Sequence, residues 1–428
     1  MALLLFLIFV TLSILVLFLR KDLVNPTMLF LSSFLLSSFL IFYNRNNWDV
    51  SLNYRFFVYV LTAVFSFILG NMIVVFLKGI KKFTEKSTND LILKKQAVPS
   101  KLLLMISVFA TILYIILILR GINISSDIKG ILRQIYDRNV INNANNGFFE
   151  NQMLKIVVAI AQISWFQFLL DKYYIKEGYK QSTNYINLLL VLIVCLVSTD
   201  RNILIRFIIF TFVLWILFYT SSVVGSIAKI NFQIIKNAFV ILIFGVVIFY
   251  YLGKLKNYTS NLERVIGLYG GSGLYNFNLF LSNEIGHTYE LGKASFSNLF
   301  SIFSSLGFTT NVLEKVTFSE PIIFLSSTGF VYASNIYSSL RPYVLDYGYF
   351  GVIIMPFILG SLFEILFQLV KKSKYSFSWL FYAMMVYPLI YFTIDEQFFN
   401  RIHLGTLYEI FWLFLFYYYT KRKIKFIL

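Results

Sequence analysis

The sequence predicts an all-α, polytopic membrane protein, and three observations carry that prediction. The 428 residues are 58% hydrophobic and only 13% charged, with a mean hydropathy of +0.75. Soluble domains run nearer a quarter charged, because polar side chains must cover their apolar core. Several apolar runs exceed the roughly 18 residues that cross a hydrocarbon layer of about 30 Å. The basic residues, finally, are spread unevenly over the segments that join those runs. A soluble fold would have to hide every run in one core, which surface-to-volume scaling forbids.

About eleven spans are expected, at roughly 2–19, 23–43, 56–77, 102–119, 153–170, 185–199, 203–220, 237–253, 348–370, 377–394 and 403–420. Arg20 and Lys21 follow the first run rather than precede it, so it reads as an uncleaved helix and not a signal peptide. The run 185–199 is short, and only Asp200, Arg201 and Asn202 part it from the next; a tight hairpin or two tilted helices would fit. The chain then divides into a transmembrane bundle over 1–253 (about eight helices), an extracytoplasmic loop over 254–347, and about three further helices with a basic tail over 348–428. Cys195 lies inside an apolar run and reads as a packing residue, and one cysteine permits no intrachain disulfide. The 48 phenylalanines are read as the codon bias of an AT-rich genome.

Orientation follows from lysine. Segment 78–101 holds Lys78, Lys81, Lys82, Lys86, Lys94, Lys95 and Lys101, and the tail holds Lys421, Arg422, Lys423 and Lys425. Placing both in the cytoplasm puts the N-terminus out, the C-terminus in, and makes the number of spans odd. The formal charge of +17 is then the positive-inside rule, with anionic membrane lipid as its partner and no role for nucleic acid. The arginines behave differently. Under this topology Arg45, Arg55, Arg120, Arg133, Arg138, Arg201, Arg264, Arg341 and Arg401 all fall outside, although Lys outnumbers Arg two to one in the chain. Topology needs only positive charge, whereas two-pronged recognition of phosphate or carboxylate favours the guanidinium fork. The outer face is expected to hold an anion.

The long external segment adds two features. Phe296, Leu299, Phe300, Phe303 and Leu306 recur at helical spacing, with serines on the other face. They read as an amphipathic helix in the outer interface, over a cavity, or simply packed between loops. Tyr269-Gly270-Gly271-Ser272-Gly273 reads as a hinge; a phosphate-cradling turn would need a Lys-Ser/Thr after it, which is missing. No internal repeat is visible, which counts against a transporter.

Chemistry has few places to sit. His287 and His403 with one cysteine cannot build a closed zinc site, there is no Gly-x-Ser-x-Gly elbow, and no metal or cofactor is expected. Three clusters of charge stand at predicted outer ends. The first is Asp200-Arg201 with Arg206 a turn into the next span, where Arg206 either faces an anion or snorkels to the interface. Arg341 with Asp346 is the second, and the two could simply form a boundary ion pair. Asp395-Glu396 with Arg401 and His403 is the third, able to supply base, anion clamp and proton relay or to be a solvated loop. His287, near Glu284 and Glu290, is weaker. Glu409, about 9 Å into the last span by helical rise, could orient an external arginine or carry protons in a transporter.

Three stretches resemble the Wzy-type oligosaccharide repeat-unit polymerases of capsule, exopolysaccharide and O-antigen pathways. They are Ser198-Thr199-Asp200-Arg201, where Asp200 departs from the usual small-residue-plus-Arg pattern; Gly270-Gly271-Ser272-Gly273 leading into Asn276-Phe277-Asn278; and Ser334-Asn335-Ile336-Tyr337-Ser338-Ser339-Leu340-Arg341 running to Asp346-Tyr347-Gly348 and Gly351. The resemblance implies a GT-C-like, inverting, metal-independent glycosyltransferase in the cytoplasmic (inner) membrane. It would transfer a growing glycan from undecaprenyl pyrophosphate to a lipid-linked repeat unit on the outer leaflet, alongside a flippase and a chain-length regulator. Arg201 and Arg341, then Arg206, Arg264 and Arg401, would bind pyrophosphate; Glu396, Asp346 or His403 would be the base. A lipid-linked glycan ligase of the same type and a lipid-linked oligosaccharide transporter are the alternatives.

Overall fold

The computed structural model describes residues 1–20, 22–80, 93–95, 100–120, 122, 128–138, 147–175, 182–198, 200–223, 236, 262–282, 291–307, 322–325, 331–334, 336–421 and 424–426. They are mainly helical. Two antiparallel ribbons are the exceptions, β1 (Leu93–Lys95) with β4 (Ile424–Phe426) and β2 (Ile322–Leu325) with β3 (Val331–Ser334).

Among the described residues, seven helices are long and apolar enough to cross a membrane. They are α1 (Ala2–Arg20), α2 (Pro26–Tyr43), α3 (Tyr54–Ile80), α4 (Ser100–Leu119), α6 (Phe148–Leu170), α8 (Arg201–Val223) and α11 (Leu340–Lys372). The chain is therefore a multi-pass membrane protein. Helices also stand where three more spans were expected: α7 (Ser182–Ser198), α12 (Phe377–Met385) with α13 (Tyr387–Ile390), and α14 (Leu404–Lys421); the short α5 (Ile128–Tyr136) falls between α4 and α6 in sequence. The run at 237–253 lies outside the described residues.

The segment read from sequence as an external loop contains more helix than expected. Besides the short amphipathic helix, found as α10 (Ser297–Ser305), it holds the 21-residue α9 (Leu262–Ser282). The glycine string 270–273 is thus no hinge, because it lies in mid-helix. Its glycines serve close approach: a Cβ at Gly270 would come within 2.4 Å of Leu40, and one at Gly271 within 3.2 Å of Trp48. Small residues let helix backbones draw together in a membrane, and that is their use here.

The contacts divide the chain into two units, each discontinuous in sequence. One comprises Met1–Thr84, Ser260–Lys372 and Met385–Leu404; the other comprises Glu85–Thr259, Ser373–Met384 and Gly405–Leu428.

In the first unit, Asn25 starts α2 by accepting the Met28 N–H at 2.8 Å, and Pro26 occupies the first turn, where a missing N–H costs nothing. α3 and α11 then pack backbone to backbone. A Cβ on Gly70 would sit 2.2 Å from the Phe357 carbonyl oxygen, and one on Gly360 2.1 Å from that of Phe67. At one end of this unit, buried Glu364 meets Arg20 at 3.7 Å and accepts from Asn71 at 2.8 Å, while Lys371 pairs with Asp22 at 2.7 Å. Arg20, Asp22 and Lys371 thus share that end. Segment 44–53, α9 and the 391–401 loop meet at the other, where Asn278 accepts from the Asn53 N–H at 2.8 Å and donates to the Ser51 carbonyl at 2.8 Å.

The second unit is a bundle of α4, α6, α7, α8 and α14. Polar side chains inside it are satisfied across helices: Trp165 donates to the Thr211 carbonyl at 3.0 Å, Asn187 to Ser164 at 2.8 Å, and Trp412 to Gln152 at 2.8 Å. Cys195 is buried and free, as a packing residue should be.

Candidate functional site

Three sequence clusters that are far apart in the chain come together in the first unit. They are the middle of α9, the turn from β3 into α11, and the loop 391–403 that follows α13. Ser272 and Ser334 share a hydroxyl bond of 2.7 Å, and Asn276 donates to the Ile336 carbonyl at 2.7 Å. A Cβ on Gly273 would lie 2.0 Å from the Thr393 carbonyl oxygen, so the helix rests directly on the loop. Ser339 then ties the turn to the loop twice, its N–H to the Phe392 carbonyl (2.9 Å) and its hydroxyl to the Asp395 carbonyl (2.9 Å).

That turn delivers Arg341 into the first turn of α11. Its guanidinium carbon stands 3.7 Å from the centroid of Tyr337, four residues earlier in the turn, and 5.4 Å from that of Phe280 on α9. Stacking on an aromatic face orients the planar fork and holds its charge. α11 breaks at Gly348, whose φ of 60° and ψ of −143° only glycine adopts without strain. The stub before the break folds against the helix after it, and a Cβ on Gly351 would lie 2.1 Å from the Tyr343 carbonyl oxygen. Both glycines of the Asp346-Tyr347-Gly348…Gly351 pattern thus have a steric reason.

Asp346 does not pair with Arg341. Fully buried, it accepts the backbone N–H groups of Ala294 (2.9 Å) and Ser295 (2.7 Å), and so pins the segment leading into α10. Asn400 holds the helix from the loop side, taking a bond from Ser297 at 2.6 Å on its side chain and one from Asn298 at 2.6 Å on its carbonyl. Phe296 lies on Phe399, with centroids 5.0 Å apart, while Phe303 and Leu306 remain exposed.

The loop carries two adjacent carboxylates with opposite surroundings. Glu396 is buried and caps the 3-10 turn Phe399–Arg401. Its Oε1 accepts from the N–H groups of Phe398 (3.0 Å) and Phe399 (2.9 Å) and from the Tyr343 hydroxyl (3.2 Å); its Oε2 accepts from the Asn400 N–H (2.6 Å). Burial pushes its carboxyl up to about 7, outweighing the three amide bonds that favour the ionised form; the charge of Asp395 adds to the rise. Asp395 is exposed. It accepts from the Glu396 N–H (2.8 Å) and the Gln397 amide (2.6 Å), and partial loss of hydration among the surrounding protein atoms pushes it up to about 6.

The other expected residues are distributed between the units. Arg401 is half-buried on the loop with its guanidinium 5.0 Å from the Tyr387 centroid, and half-buried His403 follows it. Arg264 falls in the first turn of α9, with its side chain outside the described set. Arg201 and Arg206 open α8 in the second unit. There Arg206 meets Glu409 at 3.6 Å, and Arg138 meets Glu150 at 3.2 Å. His287, Glu284, Glu290, Asn335 and Thr199 lie outside the described residues. Among the described residues no group of three His, Cys, Asp or Glu side chains could hold a metal ion.

Two participants escaped the reading of the sequence. Tyr337 under Arg341 had a visible signal, an aromatic four residues before an arginine. The contrast between Asp395 and Glu396 had none. Compared with known protein families, curated proteins and solved structures, the chain matches no family model, no curated protein and no solved fold.

Proposed function

We propose that this protein is a glycosyltransferase of the oligosaccharide repeat-unit polymerase type, moving a glycan from undecaprenyl pyrophosphate to a second lipid-linked glycan at the outer face of the cytoplasmic membrane. The observation that carries the reading is the pair of bonds from Ser339 to Phe392 and Asp395. Through them a ring-stacked arginine and a loop with two carboxylates share one end of a membrane-embedded unit.

The reaction needs both kinds of group. Departure of a lipid pyrophosphate develops negative charge on its bridging oxygen, and preoriented guanidinium groups stabilise that charge. A carboxylate takes the proton from the attacking hydroxyl. Arg341, fixed on Tyr337, is the principal anion-binding group, with Arg401 and Arg264 of the same unit as further contributors. α10, with Phe303 and Leu306 exposed beside the loop, supplies an apolar border suited to a polyprenyl chain. A GT-C-like architecture and metal independence belong to the same proposal, as do a flippase that delivers the substrate and a regulator of chain length.

The test is genetic. Deletion of the gene, complemented with wild type, Arg341→Lys or Arg201→Lys, is followed by analysis of glycan length. Lysine keeps the charge and loses the fork. Deletion should abolish long polymer while single repeats remain, and Arg341→Lys should not restore it. Normal polymer in the deletion strain would rule out the polymerase reading, and transfer of finished chains to a different acceptor would identify a ligase.

A further inference from the structure

The geometry points to Asp395, rather than Glu396 or Asp346, as the general base of the transfer proposed above. The inference rests on that reading and follows from counting lone pairs. An ionised carboxylate offers about four acceptor positions. Glu396 receives four donors, three of them backbone amides, and is buried. All of its acceptor positions are therefore filled. Asp346 is fully buried with both oxygens on the amides of Ala294 and Ser295. A substrate hydroxyl can reach neither of them without unmaking the loop.

Asp395 differs on each count. Each of its oxygens takes one donor, from the Glu396 N–H and the Gln397 amide, which leaves a lone pair on each. The residue keeps solvent-exposed surface. Its carbonyl holds the Ser339 hydroxyl, two residues before Arg341, so the candidate base and the candidate anion clamp sit on directly bonded segments. The titratable groups that act on it or feel its charge are Glu396 on the same loop and Tyr343 on α11. Among the described residues, no ion pair engages Asp395.

In the step itself, the acceptor hydroxyl oxygen forms a bond to the anomeric carbon of the donor glycan. The bond from that carbon to the pyrophosphate oxygen breaks, and its electron pair leaves on the lipid pyrophosphate. The hydroxyl proton passes to a free lone pair of Asp395 and from there to water. Gln397, bonded to the same carboxylate, positions it.

The test uses the full-length protein in detergent and lipid-linked oligosaccharide extracted from the deletion strain, with elongation read on gels and substrate binding read separately. Asp395→Asn should bind the oligosaccharide as wild type does, keep the wild-type melting temperature, and lose at least 100-fold in turnover. The wild-type rate should fall as the pH drops through about 6, because only the ionised carboxylate accepts a proton, and Asp395→Glu should recover part of the rate. Asp395→Asn with turnover within threefold of wild type, or with the acid limb unchanged, overturns the assignment and leaves the polymerase reading standing. If the wild-type protein elongates nothing, the polymerase reading falls and Asp395 falls with it.

Discussion

Tyr343, near the start of α11, donates its hydroxyl to Glu396 at 3.2 Å, and both side chains are buried. The bond joins the stub that carries Arg341 to the loop that carries Asp395. It also makes Glu396 a structural carboxylate, bound from one side by Tyr343 and from the other by three amides. Replacing Glu396 with Gln turns one acceptor into a donor facing the Asn400 N–H, at a cost of about 1–3 kcal/mol. A lower melting temperature in detergent is the expected result.

The same residue makes stability depend on pH. Its pKa is raised to about 7 in the fold, against an ordinary value of about 4.3 in the unfolded chain. The fold therefore holds the proton more tightly. Stability from this group is complete below the unfolded value and is lost as the pH rises through about 7. Melting temperatures between pH 5 and 8 should fall with rising pH in the wild type and fall less steeply in Glu396→Gln. Equal slopes would show that Glu396 keeps its ordinary pKa.

Gly273→Ala should separate α9 from the loop. The added Cβ would approach the Thr393 carbonyl oxygen to 2.0 Å, and a backbone oxygen cannot rotate away as a side chain can. Overpacking of this kind costs about 1–3 kcal/mol or more. Size-exclusion chromatography in detergent should show less monodisperse protein, and glycan elongation should drop.

Asp346→Asn should loosen the approach to α10. Two charge-assisted bonds to Ala294 and Ser295 would become at most one neutral acceptor bond, and each bond to a charged group is worth about 1.5–3 kcal/mol. Hydrogen exchange at those two amides should accelerate at least tenfold, with α3 unaffected. Unchanged exchange would assign the anchoring to Asn400 instead.

Glu364→Gln and Glu409→Gln compare one kind of pair at two depths. Glu364 is 1% exposed, and its loss strands much of the Arg20 charge at a cost of about 3 kcal/mol. Glu409 and Arg206 are each 26% exposed at 3.6 Å, so the carboxylate is less buried and the loss should be smaller than that of Glu364. A larger drop in melting temperature from Glu409→Gln would contradict this ordering.

The membrane class was legible because bilayer thickness imposes a length on apolar runs, and α1, α3 and α4 announce themselves by that length alone. The depth of Glu409 was legible for a similar reason, through helical rise, but which arginine it meets was not. The glycines of α9 were not. A glycine-rich string reads as a turn wherever the neighbour it packs against is unknown, and Thr393 is 120 residues away. Arg341 and Asp346 looked like an ion pair because they are near in sequence, but the stub turns Arg341 onto Tyr337 and Asp346 toward Ala294. Asp395 and Glu396 could not be told apart, because what separates them is the direction of the three N–H groups in the turn that follows.

Phe392 lies beneath the loop against Phe30 (4.7 Å), Phe34 (5.7 Å) and Tyr343 (6.1 Å), and Phe399 continues the layer to Phe296 and Phe398. Phenylalanines that looked like genomic drift form a foundation drawn from α2, α11 and the segment before α10. Aromatic rings with two torsions lose little freedom when packed, so such a foundation holds its shape cheaply. Side chains on the rim can then be exchanged without moving the backbone beneath them. The rim can then be retuned by point substitution, which makes this layer a source of evolvability as well as of strength.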